Sequence, residues 1–174
     1  MVLITIAIIM ILVGIDQLTK IWAVATLAGG NGAISGTVDQ LIWPNVFHLH
    51  YIPNPGAAWG ILSGKQTLLI VITSIIIVGM LFYIRQFPKT KWGNWGKIAF
   101  ILIISGAIGN LIDRLFLGYV RDFLYFILIN FPVFNVADMF VVIGVGLLMI
   151  VLLFGDLEDK NKKLQTDNIE EELD

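Results

Sequence analysis

The chain has 174 residues, of which 57% are hydrophobic and 14% charged, with a formal net charge of -2. A soluble domain of this size is usually about half apolar and about a quarter charged, so the composition excludes an ordinary soluble surface and points to one membrane-embedded domain. The absence of cysteine excludes disulfides, thiolate nucleophiles and cysteine-based metal sites.

A spanning helix needs about 20 mostly apolar residues. The first candidate runs from about Val2 to Leu27 and is interrupted by Asp16, Gln17 and Lys20. No basic segment or small-residue cleavage site accompanies it, so it reads as a retained helix. The next stretch, about 28–66, opens with the turn formers Gly29, Gly30, Asn31, Gly32 and Gly36. Val46–Tyr51 then alternates in the manner of a short strand. A small sheet against the membrane surface is expected here, with Trp43 and Trp59 as interfacial anchors. His48 and His50 share one strand face and have no further ligands nearby, so no metal site is expected.

The second candidate span runs from about Thr67 to Ile84. The third runs from about Ile98 to Leu117 and carries Asn110, Asp113 and Arg114 near its end. The fourth runs from about Asn135 to Phe154, with Asp138 near its start. The tail 157–174 is charged and poor in aromatics, and a frayed helix or disorder is expected there.

Cations set the orientation. Arg85, Lys89, Lys91 and Lys97 lie between the second and third spans, and Lys160, Lys162 and Lys163 follow the fourth. Both groups belong on the cytoplasmic side, which places both termini there and the segments 28–66 and 118–134 outside. Asp16 then lies about 20 Å along an outgoing helix. Asn110, Asp113 and Arg114 end another outgoing helix, and Asn135 and Asp138 begin a returning one. Ionisable groups inside a membrane usually face a bundle interior or a wet cavity, so one polar site near the outer face is expected.

Each group also has a structural explanation. Asp16 and Lys20 have the spacing of a helical ion pair. Asn135-x-x-Asp138 resembles a capping box. Asp122 reads as an outer-loop carboxylate beside Arg121. Taken together, Asp122 and Asp138 flank the connection between the third and fourth spans, and two close carboxylates sharing a proton form an aspartic-protease arrangement. On residue spacing alone, a proton relay, an ion site or a noncatalytic scaffold stays open.

Five ordered blocks narrow this. Asp16-Gln17-Leu18-Thr19-Lys20, Asn54-Pro55-Gly56-Ala57-Ala58-Trp59-Gly60, Gly106 to Arg114, Val120-Arg121-Asp122-Phe123 and Phe134-Asn135-Val136-Ala137-Asp138 resemble the motifs of lipoprotein signal peptidases. The similarity extends over about residues 5–155. It implies an all-α integral membrane protein with four transmembrane helices in residues 1–156, a small extracytoplasmic β-cradle and a short outer surface helix. It implies a bacterial cytoplasmic-membrane enzyme that cuts before a diacylglyceryl-modified cysteine, with Asp122 and Asp138 as the catalytic dyad.

Asn54, Gly56, Ala57, Asn110, Arg114 and Asn135 would then support substrate and dyad, while Asp16, Lys20 and Asp113 form a structural polar network. Lipid-modified prolipoproteins, membrane lipids and globomycin-type cyclic peptides are the implied partners of a monomer. No cofactor, metal or nucleic acid is implied. The chain departs from the family pattern at Pro53, where a basic residue is frequent, and at Arg121, where an apolar residue is frequent. Arg121 is expected to point to water or lipid headgroups.

Overall fold

The computed structural model describes residues 2–28, 40–56 and 62–173. The elements run in the order α1 (Val2–Leu27), β1 (Gln40–Trp43), β2 (Phe47–Asn54), α2 (Gln66–Tyr83), α3 (Lys91–Phe116), β3 (Val120–Tyr125), a one-turn 3-10 helix (Ile127–Ile129) and α4 (Val136–Leu173). Among the described residues, four helical segments are long and apolar enough to cross a membrane: Leu3–Leu27, Gln66–Tyr83, Lys91–Phe116 and Val136–Gly155. Among the described residues, the 3-10 turn is the one helical element outside them. The glycine-rich stretch 29–36, Ala57 and Trp59 lie outside the described residues.

The apolar distribution is inside out relative to a soluble bundle. Leu3, Met10, Ile75, Phe82, Val142 and Leu152 project from α1, α2 and α4 with more than half of their surface uncovered. This is the arrangement a hydrocarbon solvent permits, because lipid tails are as apolar as leucine. α3 is the central helix, packing against α1, α2 and α4. It starts one and a half to two turns before the expected Ile98. Thr90 caps it by accepting from the Gly93 N–H at 3.1 Å. Its first turns are glycine-rich because Gly93 and Gly96 face Pro88 and Phe87 so closely that a Cβ would overlap them. Packing there overrides the weak local propensity.

The α3–α4 contact is equally close. A Cβ on Gly106 would strike the Ala137 carbonyl oxygen and Val141, and one on Gly144 would strike Ile103 and the Ala99 carbonyl. Small residues allow two membrane helices to approach backbone to backbone, and dispersion then replaces the hydrophobic driving force.

The strands form one antiparallel sheet in the order β1-β2-β3. Val46 N–H donates to the Trp43 carbonyl at 3.0 Å, closing the β1–β2 turn. Pro44 presets φ in that turn and Asn45 takes φ +60°. The third strand was not expected. Residues 120–125 read as loop, yet Asp122 pairs with Ile52, Arg121 with Pro53 and Val120 with Asn54. The branched and aromatic residues of Val120-Arg121-Asp122-Phe123-Leu124-Tyr125 suit a pleated surface once β2 offers its edge. Leu49, Tyr51 and Phe123 bury one sheet face against Ala23 and Leu27 of α1.

The α3–α4 packing generates a contrast between two glycines. Gly106→Ala should lower the midpoint of thermal unfolding in detergent, with overpacking costing about 1–3 kcal/mol. Gly146→Ala, which has open space around it, should leave the midpoint unchanged or raise it slightly. Equal midpoints for the two variants would contradict the close approach.

Candidate functional site

α3 ends with a tight reversal. Gly118, at φ +78°, occupies the left-handed region that a side chain rarely adopts, and β3 begins two residues later. β3 then closes a loop with the start of α4. Phe134 N–H donates to the Leu124 carbonyl at 3.0 Å, and Leu124 N–H donates to the Phe134 carbonyl at 2.8 Å. Residues 125–133 are looped out, so Asn135 and Asp138 arrive beside Asp122. This closure supplies the proximity that sequence separation alone left open.

Asn135 is the hinge pin. Its Nδ2 donates to Asp122 Oδ1 at 2.6 Å and to Asn110 Oδ1 at 3.1 Å. Its Oδ1 accepts from the Asp138 N–H at 3.1 Å, and Asp138 Oδ2 accepts from the Asn135 N–H at 3.1 Å. That reciprocal pair is the capping box read from the sequence, with Asn135 at the N-cap and Asp138 at the third helical position. The cap engages one carboxylate oxygen of Asp138. The other, Oδ1, accepts from Asn110 Nδ2 at 2.7 Å. Capping and site membership are therefore compatible.

Asp122 is 2% exposed. Its Oδ2 accepts from Asn54 Nδ2 at 2.9 Å, and Asn54 Oδ1 accepts in turn from the Gly56 N–H at 2.9 Å. Burial, and then the nearby charge of Asp138, push the Asp122 carboxyl up to about 7, against the hydrogen bonds from Asn54 and Asn135. Arg114 Nη2 donates to the Gly56 carbonyl at 3.2 Å, tying the end of α3 to the segment after β2. Its buried Nε has no acceptor among the described residues.

Asn54, Asn110, Arg114, Asp122 and Asp138 all line one cavity of about 920 Å3. The rest of its wall is chiefly apolar, from Phe126, Ile129 and Phe131 on the looped-out segment and Met139, Val142 and Ile143 on α4. Ile129, Val142 and Ile143 are also more than half exposed, so the cavity continues onto the lipid-facing surface of α4.

Behind this pair lies a second group. Asp16, Lys20 and Asp113 are fully buried. Lys20 Nζ is 2.9 Å from Asp16 Oδ2 and 3.5 Å from Asp113 Oδ2, and it donates to Asn110 Oδ1 at 2.9 Å. Asp16 Oδ1 accepts from the Ala137 N–H at 3.0 Å, so a carboxylate on α1 caps the N-terminus of α4. A Cβ on Gly109 would collide with Asp16, which is why α3 carries no side chain there.

Two residues play larger parts than the sequence reading gave them. Gln17 donates through Nε2 to the Gly109 carbonyl at 3.0 Å and Asp113 Oδ1 at 3.3 Å, stitching α1 to α3. Arg121 does not point to water or headgroups. Its guanidinium turns inward onto Asp113 and Gln17. The reason is electrostatic, because Asp113 is buried and Lys20 already serves Asp16. The adjacency of Gln17 to Asp16 was the available signal for the first. The second had none in local sequence.

Fold and site together define a membrane protein of four spans with two carboxylates in one laterally open cavity. A family model for signal peptidase (SPase) II matches residues 8–154. The chain is 43% identical over 149 residues to a lipoprotein signal peptidase of Clostridioides difficile (strain 630), covering 86% of this chain and 94% of the relative. It is 41% identical over 149 residues to one of Lactococcus lactis subsp. lactis (strain IL1403), covering 84% and 93%. Two solved bacterial membrane enzymes, obtained by the in meso method, superpose with TM-scores of 0.71 and 0.70 at 37% and 35% identity. The alignments cover 86% of this chain in both cases, and 87% and 92% of those chains. The chain belongs to the signal peptidase II family, whose members are proteases.

Breaking a buried ion pair by removing one partner typically costs about 3–5 kcal/mol. Asp16→Ala removes the nearer carboxylate from Lys20 and the acceptor of the Ala137 N–H, so it should sharply reduce the yield and thermal midpoint of folded protein. A well-folded Asp16→Ala protein with a wild-type midpoint would refute the structural role of that carboxylate.

Proposed function

We propose that this protein is an aspartyl endopeptidase that removes the signal peptide from diacylglyceryl-modified prolipoproteins, cutting before the lipidated cysteine. The observation that carries this reading is the pair Asp122 and Asp138, held on one cavity wall through Asn135 and Asn110 with one carboxyl pushed up to about 7. Asp138 accepts from the Asn135 N–H and from Asn110 Nδ2 at the positive end of a helix, which favours the ionised form. Asp122 is the protonated partner near neutrality. The dyad titrates as a unit, and these roles describe its dominant microstate.

In the reaction, Asp138 removes a proton from a water molecule as its oxygen attacks the scissile carbonyl. Asp122 gives its proton to the carbonyl oxygen, which becomes a hydroxyl of the tetrahedral intermediate. On collapse Asp122 takes back the hydroxyl proton as the carbonyl re-forms, the C–N bond breaks and Asp138 passes its proton to the leaving amine, which restores the dyad. Arg114, with an unpaired Nε beside the cavity, is placed to hold a substrate backbone carbonyl. Asn54 and Asn110 keep the two carboxylates turned toward it.

The apolar wall suits the acyl chains of the substrate. Each buried CH2 contributes about 0.8 kcal/mol, so drawing a diacylglyceryl group into water is prohibitive. A cavity continuous with the lipid-facing side of α4 accepts such a substrate laterally. A cyclic peptide inhibitor of the globomycin type would fill the same space. The cation-rich α2–α3 loop and the lysines after α4 support cytoplasmic termini, with the dyad near the outer face of the bacterial cytoplasmic membrane.

The test is a gel-shift assay on a lipidated prolipoprotein in detergent or reconstituted bilayers. Asp122→Asn and Asp138→Asn should each lower cleavage by about 10²–10⁴-fold, the range for loss of a general acid or base. Globomycin should block the wild-type reaction. A folded variant of either residue that cleaves at the wild-type rate would sink the dyad mechanism.

A pH profile follows from the raised Asp122 carboxyl. Its proton is retained below about 7 and lost above it. Since the protonated form is the donor, cleavage should decline as pH rises through that region. A rate that stays level from pH 6 to pH 9, roughly one unit below to two above that value, would contradict the assignment.

A further inference from the structure

Arg121 neighbours Asp122 on β3, and the mechanism above gives it no part. Its side chain is only 11% exposed. Nη2 donates to Asp113 Oδ1 at 2.6 Å and Nε to Asp113 Oδ2 at 3.1 Å, a two-pronged guanidinium–carboxylate contact. The Arg121 backbone N–H donates to Asp113 Oδ2 at 3.0 Å, and Nη2 reaches Gln17 Oε1 at 2.7 Å. One residue of β3 is thus fixed to both α3 and α1. Successive strand residues face opposite sides. Holding Arg121 on the α1–α3 side therefore fixes Asp122 on the cavity side.

The same contact reaches Asp138 by a second route. Asp113 is 3.5 Å from Lys20, Lys20 donates to Asn110 Oδ1 at 2.9 Å, and Asn110 donates to Asp138 at 2.7 Å. Two buried carboxylates, Asp16 and Asp113, are balanced by two cations, Lys20 and Arg121. Remove Arg121 and Lys20 alone must serve both. Asp113 then pulls Lys20 away from Asn110, and Asn110 loses the contact that orients it toward Asp138.

We propose that Arg121 is a positioning residue for peptide cleavage, setting Asp122 through the backbone of β3 and Asp138 through Asp113, Lys20 and Asn110. The inference rests on the dyad reading above. A purely structural ion pair would affect stability and leave the chemistry of the folded enzyme intact.

The experiment is steady-state cleavage of a lipidated prolipoprotein, with thermal midpoints measured in parallel, for wild type, Arg121→Met, Arg121→Lys and Asp122→Asn. The charged groups facing the dyad are Lys20 from α1 and Arg114 from α3, with Asp16 and Asp113 behind them. Lys20 favours ionisation of Asp122, so loosening it should move the alkaline limb of the kcat profile to higher pH. For folded Arg121→Met, kcat should fall roughly 10- to 100-fold, the scale of a small displacement of catalytic groups. KM should stay within about twofold, since substrate contacts are not removed. Arg121→Lys keeps the charge without the planar fork, and its kcat should lie between those of Met and wild type.

Wild-type kcat and pH profile in folded Arg121→Met, or a loss carried by KM, overturn the proposal. Should Arg121→Met fail to fold, Arg121→Lys decides: a reduced kcat at unchanged KM supports it, and a wild-type kcat overturns it. Asp122→Asn separates the two readings. If it is inactive while Arg121→Met cleaves normally, only the positioning role falls. If Asp122→Asn cleaves like wild type, the dyad reading falls and takes this inference with it.

Discussion

A charge carried into a bilayer must find its partner inside the protein, because a lone Asp, Lys or Arg at mid-helix costs roughly 2.5–3.5 kcal/mol even by the milder scales. The contact between Lys20 and Asp16 meets that requirement, and much of the site is arranged around it. Asp16 reaches the first turn of α4 at Ala137, Lys20 reaches Asn110 on α3, and Gly109 leaves the space through which the two helices meet around the carboxylate. Three spans are joined by one pair. The site then inherits its rigidity, since Asn110 holds Asp138 through Nδ2 and Lys20 through Oδ1 and cannot rotate away from one without releasing the other.

A division of labour follows from how many donors each carboxylate receives. Asp113 takes two backbone or guanidinium donors from Arg121 on one oxygen, and Nη2 and Gln17 on the other, with Lys20 nearby. Nothing is left over for chemistry. Asp122 takes one amide donor on each oxygen and, among the described residues, no cation in direct contact. It stays buried beside Asp138, which is the environment that raises a carboxyl and keeps a proton available. Two aspartates nine residues apart therefore differ through their partners, not through their chemistry.

Much of this was legible in the sequence because a bilayer simplifies the code. The spans appear as apolar runs, and a handful of ionisable residues within them stand out one by one. The Asn135–Asp138 cap was legible because it is local, spanning a single helical turn. Less local features were hidden. β3 is six residues long and carries Arg121 and Asp122 in its first half, so its pattern is that of a loop until β2 and Phe134 supply hydrogen bonds. The α3 start was read late because the close seat of Gly93 and Gly96 against Phe87 and Pro88 exists only in the folded chain. Gly106 and Gly109 carried no packing signal because their spacing of three is not the usual small-residue repeat, although α3 leaves room there for Ala137 and Val141 of α4 and for Asp16 of α1.

The inward turn of Arg121 shows why adjacency along the chain is a poor guide to electrostatic pairing. Arg121 sits next to Asp122, yet its guanidinium meets Asp113, eight residues back across the Gly118 turn. Pleating sends neighbouring strand residues apart, and the reversal at Gly118 brings β3 back alongside the last turns of α3. A cation directly on Asp122 would favour its ionised form and work against the proton that the proposed mechanism needs. Placing that cation on Asp113 instead satisfies a buried charge and leaves Asp122 uncompensated. The strand geometry thus keeps apart two electrostatic demands that the sequence places side by side.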